Sequence, residues 1–164
     1  MAAEQEAVQL CSVRVGAGLY GVDTRAIREV LGNARPQRVP LAPSYLAGVL
    51  TYRGEVLETV SLRTLLGLEG HSGAHHVLVL ESPESDERFG LLVDRVGSVV
   101  SASQAALEPN PSTLDPRGQA LLSGIYRMET ALMARLDPAR LRPTELAKNP
   151  VFTADLRTGH RGAR

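Results

Sequence analysis

At 164 residues and 43% hydrophobic content, the chain has material for one ordinary domain or two very small ones packed together, and it is globular rather than disordered. Eighteen basic and eighteen acidic residues cancel, so no net field favours nucleic acid, an anionic membrane or a polyanionic substrate, and protein surfaces become the expected partners. Cys11, the only cysteine, excludes an intramolecular disulfide and cysteine-clustered zinc. With an acidic start (Glu4, Glu6) that lacks a signal-peptide core, and no bilayer-length apolar run, it points to a cytoplasmic protein.

Residues 8–15 alternate loosely with period two and predict a first strand, which Gly16-Ala17-Gly18 turns into residues 19–22. Cys11 lies inside that strand and reads as a buried, inert thiol. Asp23 stands as an N-cap, and Ala26, Ile27, Val30 and Leu31 have helical spacing up to Gly32; a short helix running into a strand fits the same segment. Arg25, Arg28 and Glu29 are expected to face outward. Pro36, Pro40 and Pro43 leave room only for a short edge strand at 37–39. Residues 48–68 carry the strongest local signal: strands at 49–52 and 56–60 flank Arg53-Gly54, Ser61 is placed to cap a helix with Leu62, Leu65 and Leu66 on one face, and Gly67 ends it. Residues 69–74 read as a polar linker. Strands at 75–81 and 89–95 flank a charged loop, residues 96–100 extend the second of them, and 101–118 wraps the surface without much regular structure. A last hairpin at 121–127 and 131–136 leads to Asp137-Pro138, an N-cap followed by proline at the first helical position. Residues 146–164 are expected to form a flexible basic tail.

The chain repeats itself. Tyr20-Gly21-Val22 aligns with Phe89-Gly90-Leu91, and Ile27 and Val30 fall on Val96 and Val99 at the same offset. Residues 45–49 match 121–125, which puts Leu57 on Met133, Val60 on Leu136 and Ser61 on Asp137. The implied architecture is two small antiparallel barrels, each ending in a short helix. Catalytic constellations are missing from the pattern. His75 and His76 are adjacent in a strand and point to opposite faces, so they make no metal pair. Gly16-Ala17-Gly18 lacks the helix and the lysine of a phosphate loop. A binding module remains, with no cofactor expected.

The segment 42–56, from Ala42-Pro43-Ser44-Tyr45-Leu46 through Tyr52-Arg53-Gly54-Glu55-Val56, together with Leu62-Arg63, Leu66-Gly67-Leu68, Tyr20-Gly21-Val22-Asp23, Ile27 to Val30 and Gly90 to Val96, resembles the CheW family of chemotaxis coupling proteins. The resemblance covers about residues 8–141. It implies a mostly β fold of two SH3-like five-stranded antiparallel β-barrel subdomains with short helices, and a non-enzymatic adaptor joining the cytoplasmic tips of methyl-accepting chemoreceptors to a CheA-type histidine kinase. One CheW-like domain at 1–145 is expected, with a first barrel core at about 16–68, a second at about 75–145, and the strand at 8–15 packing on the second. By motif matching the receptor-binding surface includes Ile27, Glu29, Arg53 and Gly54, and apolar surface positions Val56, Leu57, Val99 and Leu107 are the candidate kinase contacts. The family usually has asparagine where this chain has Thr51, proline at Glu58 and aspartate at Ser61. Serine keeps the cap oxygen, whereas Glu58 adds a charge beside the signature turn, which suggests a divergent member in a specialised pathway. The competing readings are a scaffold or inhibitor that has lost one partner, and a small-barrel nucleic-acid module, which neutral charge and sparse aromatics disfavour.

Overall fold

The computed structural model describes residues 6–68 and 75–153. Among them the chain runs through β1 (Ala7–Val15), β2 (Gly18–Asp23), a single 3₁₀ turn (Thr24–Ala26), β3 (Ile27–Gly32), β4 (Leu46–Tyr52), β5 (Glu55–Ser61), α1 (Leu62–Leu65), β6 (His76–Glu81), β7 (Arg88–Val93) and β8 (Arg95–Ser103). It finishes with α2 (Pro116–Leu121), β9 (Leu122–Arg127), β10 (Leu132–Leu136), α3 (Pro138–Leu141) and α4 (Pro143–Leu146). The strands form two five-stranded sheets, in the orders β8-β1-β2-β10-β9 and β3-β6-β7-β5-β4. The two orders are the same arrangement built twice: β6 and β7 take the places of β1 and β2, β3 that of β8, and β4-β5 that of β9-β10.

The sheets do not divide at 16–68 and 75–145. Each repeat contributes its first hairpin to one sheet and its remaining three strands to the other, so β1-β2 pairs with β8, β9 and β10, and β6-β7 with β3, β4 and β5. The local cause is the crossover after β2. The Asp23 side chain accepts from Arg25 N at 2.9 Å and closes one tight turn, after which Ile27 is already paired with Leu80 on the other sheet. The pairing is not wholly antiparallel either. β5 runs parallel to β7 (Thr59 opposite Gly90) and β10 parallel to β2 (Arg135 opposite Gly21), at equivalent places in the two repeats.

Two glycine pairs make this pairing possible. A Cβ on Gly90 would lie 2.6 Å from Thr59 Oγ1, and one on Gly21 would lie 2.8 Å from Met133 Sδ, so the parallel strands approach only because these positions are bare. At Gly48 (φ +147) and Gly124 (φ +156) a Cβ would strike the backbone oxygens of Gln37 and Glu108 at 2.3 and 2.6 Å. Those two residues bridge to Val49 and Ile125, drawing the segment after one edge strand toward the opposite edge of its sheet without closing either sheet into a barrel.

The main core lies between the sheets and joins both repeats, with Val13, Val15, Val22, Val60, Leu78, Leu80, Phe89, Leu91 and Leu136 buried beside Leu62 and Leu65 of α1. Each sheet also encloses a smaller cluster: Val8, Leu10, Tyr126 and Met133 in one, and Tyr52, Leu57 and Val79 in the other. Asp137 caps α3 by accepting from Ala139 N, as Ser61 caps α1 through Thr64 N. The chain does not turn into a tail at 146: Leu146 and Phe152 are buried in the main core, and Phe152 meets Tyr45 edge to face at 6.4 Å. Residues 154–164 and the linker expected at 69–74 lie outside the described residues. Residues 24–32 take the helix-into-strand reading of that segment, a single 3₁₀ turn running into β3. Two stretches depart from the sequence reading: residues 96–100 do not extend β7 but belong to β8 on the other sheet, and the stretch after residue 100 continues as strand to Ser103 and later forms α2, capped by Asp115.

Candidate functional site

The site is built on the β4-β5 hairpin. Tyr52 and Glu55 form its closing pair, and Arg53 (φ 50) and Gly54 (φ 81) are the two left-handed residues of the turn, the conformation that matches the twist of paired strands. Glycine is at ease there, whereas Arg53 is held against its backbone preference. What holds it is the side chain before it. The Tyr52 ring is buried with Leu57 and Val79, and Leu31 and Leu50 pack on it. Its hydroxyl reaches the surface, where it donates to Glu29 Oε1 at 2.9 Å and accepts from Arg53 Nε at 3.1 Å. Arg53 also donates to Glu29 at 3.4 Å.

The result is a tripod of Glu29 from β3, Tyr52 from β4 and Arg53 from the tip. Its base is buried, while the Arg53 side chain is 74% exposed. The Arg53 guanidinium carbon is 5.5 Å from the Tyr52 ring centre, but with Nε bonded to the hydroxyl the cation sits at the oxygen edge of the ring, so hydrogen bonding rather than the ring face governs the contact. The hydrogen bond to the Tyr52 hydroxyl, and then the Glu29 carboxylate, hold the Arg53 guanidinium above its ordinary value, and the tip carries its cation at every physiological pH. Arg88 of β7 lies on the same ring at 5.9 Å and donates to Glu81 at 3.1 Å, and Glu81 also meets Arg28 at 3.4 Å. Exposed charge thus surrounds a buried aromatic anchor.

Of the four residues expected to face a receptor, Glu29, Arg53 and Gly54 are brought together here. Ile27 is not: it begins β3 opposite Leu80 and packs on the main core. Glu29 is not simply outward, as the sequence suggested. It lies in the inward row of β3 with Ile27 and Leu31, and its carboxylate is half-buried under the hairpin. The candidate kinase positions scatter. Val56 is 74% exposed beside the tip, opposite Thr51. Leu57 points the other way, 3% exposed in the cluster under Tyr52, and so cannot be a surface contact; in a strand, successive side chains take opposite faces. Leu107 packs on the other sheet's cluster, and Val99 stands 56% exposed on β8. Sequence reasoning missed Tyr52 and Arg88. The signal for Tyr52 was an aromatic in the inward phase of β4, immediately before the turn; Arg88 had none.

A second ionic junction fixes the hairpin's base to the other sheet. Arg63 of α1 donates to Asp94 at 2.6 Å, and Asp94 also accepts from Gly16 N at 2.8 Å in the β1-β2 turn. No group of three or more His, Cys, Asp or Glu able to hold a metal ion occurs among the described residues. Cys11 is buried, and burial pushes its thiol up from the ordinary value.

The family of the CheW-like domain matches residues 9–144. Among curated proteins the chain is similar to "Chemotaxis protein CheW" of Treponema pallidum, 26% identical over 149 residues that cover 86% of this chain and 85% of that one. It is 28% identical to "Chemotaxis protein CheW" of Rhizobium meliloti over 138 residues, covering 84% and 88%. Among solved structures it is similar in fold to the scaffolding protein TtCheW of Thermoanaerobacter tengcongensis, with TM-score 0.71 and 22% identity over 80% of this chain and 90% of that one.

Proposed function

This chain belongs to the CheW-like domain family and is a chemotaxis coupling protein rather than an enzyme, and from that premise we propose that it joins the cytoplasmic tips of chemoreceptors to a CheA-type histidine kinase. The observation that carries the receptor side of this reading is the tripod. A cation projected from a turn, with its ring anchor buried and its partner carboxylate beneath, is preorganised to donate charge-assisted hydrogen bonds to acceptors on a receptor helix bundle. Glu29, Arg53 and Gly54 form that contact, and Val56, exposed next to them, is the apolar position offered to the kinase. Glu58 is exposed on β5, two residues along the same strand row from Val56, and adds negative charge there. This supports a partner set tuned for a specialised pathway. No helix among the described residues is long and apolar enough to cross a membrane, and we place the protein on the cytoplasmic side, recruited to receptor arrays through its partners.

Titration of the purified chain against a receptor cytoplasmic fragment and, separately, against the kinase's regulatory domain tests this. An adaptor binds both. Binding to one alone identifies a scaffold or inhibitor that has lost a partner, and binding to neither overturns the reading.

A further inference from the structure

The two repeats carry different charges at one equivalent point. Leu19 corresponds to Arg88, because Tyr20-Gly21-Val22 aligns with Phe89-Gly90-Leu91. Their cross-strand neighbours are therefore equivalent too: Arg14 lies opposite Leu19, and Glu81 opposite Arg88. In one sheet the Glu81 carboxylate serves two cations, meeting Arg88 at 3.1 Å and Arg28 at 3.4 Å. In the other, the counterpart of Glu81 is itself an arginine, and Arg95 of β8 stands directly across from it. Two guanidinium groups recur, without the carboxylate between them.

Both arginines are exposed. They share a face: Val13 and Val96, the next cross-strand pair, belong to the main core, and successive side chains of a strand alternate. Among the described residues neither guanidinium has an ion pair or a side-chain hydrogen bond. Asp94, next to Arg95 in the chain, is committed to Arg63 and to Gly16 N. Like charges directly opposite on paired strands repel and cost stability, and this pair carries that cost without a counter-charge of its own.

We propose that Arg14 and Arg95 are a docking point for an acidic segment of the kinase's regulatory domain, whose carboxylate takes the place that Glu81 holds in the other sheet. Arginine suits this role, because its planar fork matches a carboxylate and keeps its charge at every physiological pH. Leu19, half-buried on the far side of Arg14, adds an apolar wall. The inference rests on the adaptor reading, which needs a second surface clear of the receptor contact. From the Arg53 tip, β5 runs about 20 Å past Val56 into α1, whose Arg63 holds Asp94 beside Arg95. The arginine pair is thus joined to the strand that offers Val56 to the kinase, at the end away from the tip.

The test is titration of the full chain against the kinase's regulatory domain and, separately, a receptor cytoplasmic fragment, at low and moderate salt. The variants are Arg14→Glu, Arg95→Glu and a control of equal charge change, Lys148→Glu, at an exposed position of the C-terminal segment. Each arginine variant is expected to bind the kinase domain about tenfold more weakly or worse, with a smaller salt dependence, while the control binds like the wild type and receptor binding is unchanged in all three. Each arginine variant should also melt at or up to about 3 °C above the wild type, since an opposite-charge pair replaces a repulsion. Arginine variants that bind the kinase domain like the wild type overturn the proposal and leave the adaptor reading standing. Equal loss in the control, loss on the receptor arm, or melting below the wild type overturns it as well. A wild type that does not bind the kinase domain removes the adaptor reading and this inference with it.

Discussion

Replacing Tyr52 with phenylalanine isolates the contribution of one oxygen atom to both folding and binding. The ring stays, buried against Leu57 and Val79, so no cavity opens. What goes is the hydroxyl that donates to Glu29 at 2.9 Å and accepts from Arg53 at 3.1 Å. Glu29 is 41% exposed and can be rehydrated, so the net loss should be that of one good hydrogen bond to a charged acceptor, about 1.5 kcal/mol. For a chain of this size that lowers Tm by about 3–6 °C. The larger consequence falls on recognition. Arg53 loses the bond that fixes its Nε and must be ordered when the receptor binds, which weakens a receptor fragment by about two- to tenfold in Kd. Arg53→Ala has the opposite profile: Tm stays near wild type because the side chain is exposed, and receptor binding is lost. Calorimetric melting and titration of a receptor cytoplasmic fragment measure the two quantities on the same samples. A Tyr52→Phe protein that melts lower yet binds the fragment with wild-type Kd would refute the argument that the hydroxyl preorganises the tip.

Three further outcomes follow from the geometry. Gly48→Ala forces a Cβ to 2.3 Å from the Gln37 carbonyl oxygen and should cost more than about 3 kcal/mol, whereas Gly54→Ala, with open space and only a left-handed φ to pay for, should cost about 1–2 kcal/mol; paired thermal melts read the difference. Partial burial raises the Asp23 carboxyl, but the hydrogen bonds from Arg25 and the charges of Arg25 and Arg135 outweigh it and leave the group below its ordinary value. Its folded pKa is thus lower than its unfolded one, so its stabilisation is complete above about pH 4 and fades as pH falls through the folded value; Asp23→Asn should flatten that part of a Tm-against-pH curve. Asp94→Ala withdraws the acceptor of Arg63 and Gly16 N at a half-buried junction between the sheets, and a loss of about 2 kcal/mol by urea unfolding is expected.

Local chemistry made much of this molecule readable from sequence. The Arg53-Gly54 turn, the caps at Ser61 and Asp137 and the pairs Gly21/Gly90 and Gly48/Gly124 are each set by one residue's backbone or side-chain preference, and the caps and glycine pairs recur in register. What the sequence could not reveal is which hairpin pairs with which set of three strands, because a repeat looks the same whether its halves fold separately or exchange. Strand β3 was obscured for a different reason. Its inward row is Ile27, Glu29, Leu31, and the carboxylate in the middle breaks the apolar alternation that marks a strand. That residue lies inward because the hydroxyl and the guanidinium of the tip wait there for it. The contact that builds the candidate site is thus also what interrupts the pattern and left helix and strand both open for this segment. Leu57 was misplaced by one residue of strand phase, the shift that separates the exposed Val56 from the buried cluster.

The central claim is that one chain bridges two partners through a surface led by Arg53. Co-sedimentation of the kinase's regulatory domain with a receptor cytoplasmic fragment, with and without this protein, tests it most directly. The account predicts that the kinase domain sediments with the receptor only when the chain is present, and that Arg53→Ala abolishes this while still binding the kinase domain in solution. Recruitment by Arg53→Ala equal to wild type, or no recruitment by the wild type, would contradict it.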